Sequence, residues 1–181
     1  RWEARYASPA RAPTITLSLC TYSGTRRLAR VSHSVDSCAA LHVSEAAAEE
    51  IRGLGRRALA VSTDVTEPDQ VDALIERTTH EMGKVDIMVA NSGGGGSPKL
   101  EDITLEDWEN QMRLNLSSAF LCDVSAGKAM IAQGTGGRII NISSTAGINL
   151  NPGLPAYAAA KAGMISCTKA WPYRGPVKAS M

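Results

Sequence analysis

No two cysteines in this chain stand in a Cys-x-x-Cys spacing; Cys20, Cys38, Cys122 and Cys167 are scattered singly. That argues against a metal knuckle or a disulfide framework, so a reducing compartment, the cytoplasm, is the expectation. No apolar run approaches the roughly 18 residues a helix needs to cross a bilayer, so no membrane partner is expected. A long basic block is also missing. The 19 Lys and Arg nearly balance the 18 Asp and Glu, which argues against nucleic acid as the partner. His33, His42 and His80 have no motif company and read as surface or core residues. Glycine is scarce at the start: Gly24 is the only one before Gly53.

What is present, over 181 residues, suffices for one domain with a real core. From residue 44 onward helix and strand signals alternate. Ser44 to Leu54 reads as a helix with Ser44 as N-cap and Gly53 and Gly55 as stops. Arg57 to Thr63 reads as a strand. Thr66 and Pro68 open a second helix, whose apolar Val71, Leu74, Ile75 and Met82 keep a helical period up to Gly83. Val85 to Ala90 suits a strand buried on both faces. Thr104 with Asp107 resembles a capping box and opens a long helical pattern toward Met130, broken by Gly134 to Gly137. Arg138 to Ser143 is a further buried-type strand, and Pro155 to about Ala170 a further helix. The alternation predicts an α/β fold: a Rossmann-like three-layer αβα arrangement on a parallel sheet.

In such a sheet, ligands bind beyond the carboxyl ends of the strands. Three strand ends carry polar or glycine-rich residues: Asp64-Val65, Asn91-Ser92-Gly93-Gly94-Gly95-Gly96, and Asn141-Ile142-Ser143-Ser144. Successive glycines let backbone lie flat against a ligand. The helix from Pro155 begins at the same edge and carries Tyr157 and Lys161, one turn apart and on one face. An ammonium beside a phenol favours the phenolate, and a phenol tuned that way exchanges protons with alcohols and carbonyls.

The series Asp64-Val65, Asn91-Ser92-Gly93, Asn115, Ser144 and Tyr157-x-x-x-Lys161 resembles the motif series of the short-chain dehydrogenase/reductase family over about residues 44 to 170. Tyr157 stands 13 positions after Ser144, as that family's pattern expects. Ala90-Asn91-Ser92-Gly93 stands where the family has Asn-Asn-Ala-Gly. The glycine loop also resembles that of hydroxysteroid and 3-oxoacyl reductase members. The resemblance implies an oxidoreductase that interconverts a secondary alcohol and a ketone with NAD or NADP, the preference being unreadable. It implies Tyr157 as general acid or base and Lys161 as holder of the nicotinamide ribose. Ser144 would hydrogen-bond the substrate oxygen, and Asn115 would bend its helix and hold a relaying water. It further implies that Gly24, Asp64, Val65, Asn91, Ser92 and Gly93 line the cofactor cleft together with Tyr157 and Lys161. The helices from Thr104 and Pro155 form the family's subunit interface, so a homodimer or homotetramer is expected.

Two stretches depart from the family, 1–43 and 171–181. The family's first turn is Thr-Gly-x-x-x-Gly-x-Gly. Aligning Thr14 to Cys20 as the first strand and Thr25 to Arg30 as a helix start leaves Gly24 as the middle glycine, with Cys20 and Arg26 replacing the others. No second strand is recognisable in Val31 to Val43. Arginines and serines give the first forty residues the bias of a transit peptide, but removing them would remove part of the fold. Trp171-Pro172-Tyr173-Arg174-Gly175-Pro176 cannot extend a helix, so the C-terminal strands are expected to be missing. Restoring one base before codon 171 permits a tail of family type, which suggests a single-base loss; resequencing checks it. The rival reading is a truncated, catalytically silent fragment that at most binds a partner chain.

Overall fold

The computed structural model describes residues 15–20, 37–55, 57–94, 101–149, 153–171 and 177–180. Strands β1 (Ile15–Cys20) and β2 (Ala58–Thr63) pair in parallel, and β3 (Ile87–Ala90), β4 (Gly137–Asn141) and β5 (Val177–Ser180) form a second parallel set in that order. Helices α1 (Ser37–Gly53), α2 (Pro68–Met82), α3 (Leu105–Met112), α4 (Ser118–Ala132) and α5 (Pro155–Ala170) alternate with the strands. Helix α1 packs on β1 and β2, α2 bridges β2 and α4, and α4 lies on β3 and β4. The α/β alternation read from the sequence is therefore present, all its described pairings being parallel.

Local signals explain the element ends. Thr104 and Asp107 form a reciprocal capping box: Asp107 N donates to Thr104 Oγ1 at 3.1 Å, and Thr104 N donates to Asp107 Oδ2 at 2.9 Å. The Thr104 hydroxyl and then its backbone N–H hold the Asp107 carboxyl below its ordinary range. Gly83 closes α2 in the left-handed region (φ 96°), its N–H reaching Thr79 O. Pro155 occupies the first turn of α5, where a missing N–H does no harm.

Several expectations need correction. Helix α1 starts at Ser37, not Ser44, because Cys38-Ala39-Ala40-Leu41 joins the helical run instead of preceding it. Thr66 does not cap α2; Glu67 holds that position, and the Thr66 hydroxyl donates to Asp64 Oδ1 at 2.7 Å. The third strand is shorter than 85–90 and is not buried on both faces: Ile87 is 58 % and Val89 49 % exposed. Among the described residues β3 pairs only with β4 and α4 covers one of its faces, so residues two apart on the other face stay open. The run from Thr104 is not one regular helix, since a π-helical turn (Arg113–Ser117) separates α3 from α4. The tail does contribute a strand. Val177 to Ser180 pairs with β4 in the register Gly137↔Val177, and Val177 is buried against Ile139 and Met130. An apolar first residue and the open edge of β4 suffice for that pairing. The helix expected over Thr25 to Arg30 lies outside the described residues.

Two buried clusters hold the layers together. One joins Val65, Val71, Ala90, Ala119, Cys122 and Met164, and so ties the ends of β2 and β3 to α4 and α5. The other gathers Ile75, Val85, Ala126, Met130, Ile139 and Val177 around the base of β4. No described helix is long and apolar enough to cross a membrane.

Candidate active site

Lys161 is 3 % exposed, which is rare for an amine, and burial pushes its pKa below the ordinary lysine value. Its Nζ donates to Ile142 O at 3.0 Å, just past the end of β4. The Ser143 hydroxyl in turn donates to Lys161 O at 3.2 Å. Two opposed bonds thus bind the β4 end to the second turn of α5. Tyr157, one turn earlier on α5, is half-buried, and Lys161 Nζ lies 5.9 Å from the centroid of its ring.

Ser144 caps a 3-10 turn (Thr145–Gly147), its Oγ accepting from Ala146 N at 3.2 Å. A hydroxyl that accepts in this way keeps its proton for another oxygen. Gly147 lets the turn lie on α5: a Cβ there would come within 2.8 Å of Lys161 C and 3.0 Å of Ala162 N. Gly147→Ala is therefore expected to push the turn off α5 and lower stability by about 1–3 kcal/mol. Urea unfolding measures this, and an unchanged midpoint would show that the turn does not need that contact.

Asn115 is fully buried in the π-helical turn. Its Nδ2 donates to Gly94 O at 3.0 Å, Gln111 O at 3.2 Å and Gln111 Oε1 at 3.0 Å, and its Oδ1 accepts from Gly94 N at 3.0 Å. The loop after β3 is thereby clamped to the α3–α4 junction. Gly93 has φ 154°, and a Cβ on it would sit 2.5 Å from Asn115 Oδ1 and 3.3 Å from Lys161 Nζ. The loop backbone, the buried amide and the buried amine therefore converge, and only glycine fits between them.

The structure brings Gly93, Asn115, Ser144, Tyr157 and Lys161 to one edge, the ends of β3 and β4 and the start of α5. Asp64 lies at the neighbouring strand end, where Val65 packs against Ala90. One Asp64 oxygen, Oδ1, is taken by Thr66 N at 2.9 Å and by the Thr66 hydroxyl. The Val65 side chain belongs to the core, so that residue offers a ligand its backbone alone. Asn91 is exposed and Ser92 half-buried on the loop. Gly24 lies outside the described residues. Residues not singled out in the sequence also support the site: Gln111, Gly147, and Asp123 and Thr168, which bond to Asn141 of the strand end already named.

The sequence comparisons decide the family. The family model for short chain dehydrogenase matches residues 25–173. This chain belongs to the short-chain dehydrogenase family. The match takes in residues 25–43, where the motif series was not recognisable. A 3-oxoacyl-[acyl-carrier-protein] reductase of Synechocystis sp. is 42 % identical over 126 residues, 70 % of this chain and 51 % of that protein. A short-chain type dehydrogenase/reductase from Mycobacterium marinum superposes with TM-score 0.68 at 35 % identity, over 72 % of this chain and 52 % of that one. A 7α-hydroxysteroid dehydrogenase solved with NADH and 7-oxo glycochenodeoxycholic acid gives 0.66 at 31 % identity, over 70 % and 49 %. The chain spans about half the length of these relatives. The Rossmann-like α/β fold of the family is the one found here.

A nicotinamide dinucleotide fits the residues in place at its ribose end. An ammonium has three donors, and Ile142 O takes one of those on Lys161, leaving the amine able to reach vicinal hydroxyls. Beside it lies the backbone of Gly93, where a Cβ has no room.

Proposed function

We propose that this chain carries the proton-transfer half of an NAD(P)-dependent oxidoreductase that interconverts a secondary alcohol and a ketone. The observation that supports it most is the buried Lys161 amine, fixed on Ile142 O one turn from Tyr157. In ketone reduction the Tyr157 hydroxyl gives its proton to the substrate oxygen, and in alcohol oxidation it takes that proton back. The Ser144 hydroxyl donates to the same oxygen as charge develops on it. Lys161 orients the ribose and sets its amine 5.9 Å from the centroid of the Tyr157 ring. Asn115 keeps the Gly93–Gly94 backbone flat against the cleft, and Asp64 offers its second carboxylate oxygen to the adenine amino group. NAD or NADP, when bound, supplies or accepts the hydride. The reading takes the cytoplasm as its compartment and a small alcohol or ketone as substrate.

A second reading is a silent domain that binds a partner chain. It is favoured by the single glycine before Gly53, since a pyrophosphate needs close backbone approach at a helix N-terminus. It is also favoured by apolar exposure on the helices of the expected dimer or tetramer face: Trp108 is 40 %, Phe120 49 % and Ile131 61 % exposed, with Trp171 edge-on to Phe120 at 6.0 Å. Titration with NADH and then NADPH, read by nicotinamide fluorescence and thermal shift, separates the two. Saturable binding of either is expected. Absence of binding to both would leave the silent reading.

A further inference from the structure

Behind the active site, α4, β4 and α5 are joined by a buried polar group. Asn141 Nδ2 donates to Asp123 Oδ2 at 2.8 Å and to Thr168 Oγ1 at 3.0 Å, and the Thr168 hydroxyl donates to Met164 O at 2.8 Å. Asp123, Asn141 and Thr168 are 6 %, 2 % and 7 % exposed. Every N–H and O–H donor of the group is thus used. Two acceptors are left over, Asp123 Oδ1 and Asn141 Oδ1, buried and unpartnered, one on each member of a pair already joined by its other atoms. A buried unpaired polar atom is costly, and two acceptors cannot satisfy each other without a proton. A carboxylic acid and a primary amide can form a closed ring of two hydrogen bonds: amide N–H to one carboxyl oxygen, carboxyl O–H to the amide oxygen.

We propose that Asp123 is a proton-carrying positioning residue: in its neutral form, Oδ1–H donates to Asn141 Oδ1, closing an acid–amide ring that fixes the end of β4. The residues that follow that end are Ile142, whose carbonyl holds Lys161, and then Ser143 and Ser144. The consequence at Lys161 rests on the functional reading above; the ring itself does not. Burial holds the Asp123 carboxyl up at about 6, against the opposing pull of the Asn141 amide. Of the other side chains around the adjoining surface pocket, open to solvent and about 220 Å³, Cys167 on α5 is titratable, and α2, β3 and β5 contribute none. The Lys161 amine on α5 donates to Ile142 O at 3.0 Å.

The test compares Asp123→Asn, which supplies a permanent N–H donor in the same shape, with Asp123→Ala, which supplies none. Carboxyl 13C NMR should show one aspartate titrating near pH 6 that disappears in Asp123→Asn. A folded-state value raised above the unfolded one stabilises in full below about pH 4, and that contribution is lost as pH rises through about 6. The Tm of the parent chain relative to Asp123→Asn should therefore fall between those values and run flat above them. Asp123→Ala should lower Tm throughout and move the Lys161 13Cε resonance, which Asp123→Asn should leave in place. An Asp123 signal titrating with the exposed aspartates would overturn the ring. So would an Asp123→Asn variant destabilised as much as Asp123→Ala. A Lys161 resonance unmoved in both variants would overturn the positioning role.

Discussion

Tyr157→Phe is expected to lower turnover by about 10²–10⁴-fold while leaving nicotinamide affinity nearly unchanged. The substitution removes one oxygen. The ring remains in place near Lys161 Nζ, and the amine keeps its bond to Ile142 O, which does not involve the tyrosine. Ribose binding therefore persists, while the group that gives or takes the substrate proton is gone. Ser144 cannot substitute: its hydroxyl still polarises the substrate oxygen, but an aliphatic alcohol is a far weaker acid than a phenol. Single-turnover oxidation of a secondary alcohol, followed at the nicotinamide absorbance, measures the loss, and a parallel fluorescence titration measures the affinity. Full turnover in Tyr157→Phe would remove the acid/base assignment. Lost turnover together with lost affinity would instead point to a ring that holds the cofactor.

How far the sequence carried this site depended on the range of the interaction involved. The Tyr157–Lys161 pair is one helical turn long, so its placement followed from spacing alone. The Thr104–Asp107 capping box, the Gly83 stop and the Pro155 start are equally local and were equally legible. The exposure of Ile87 and Val89 was not, because an apolar run says nothing about whether a second layer covers it. At Asn115 the family resemblance implied a bent helix, but not that the bend takes the form of a π-helical turn. Arg113-Leu114-Asn115-Leu116-Ser117 has ordinary helix formers, and what opens the turn is a contact between Asn115 and a loop some 20 residues earlier in sequence. Gly147 and Asp123 also act between elements that only the fold brings together. Strand β5 escaped because prolines and a glycine before it break the helix, and a four-residue strand leaves too little period to detect.

Asn115→Asp should be among the most damaging substitutions of equal size in this chain. Asparagine is required there because its side chain must both give and receive. The amide N–H groups face three oxygens, Gly94 O, Gln111 O and Gln111 Oε1, while the amide oxygen faces Gly94 N–H. A carboxylate preserves the shape and the single acceptor role, but turns the other side into an anion set against carbonyl oxygens. The position is fully buried, so water cannot relieve the conflict. Losing the donated bonds and burying an unpaired charge together amount to about 3 kcal/mol or more. Because the bond to Gly94 O is lost and that oxygen now faces an anion, the Gly93–Gly94 backbone should shift away from Asn115, and nicotinamide binding should weaken along with stability. The sign of the pH dependence is distinctive. Lowering the pH protonates the new carboxyl and restores one donor, so the deficit relative to the parent chain should shrink in acid, the Asp123 contribution being common to both. Urea unfolding at neutral and acidic pH makes the comparison. Equal stability of the two proteins at neutral pH would mean that the Gly94 loop is held by something other than the Asn115 amide.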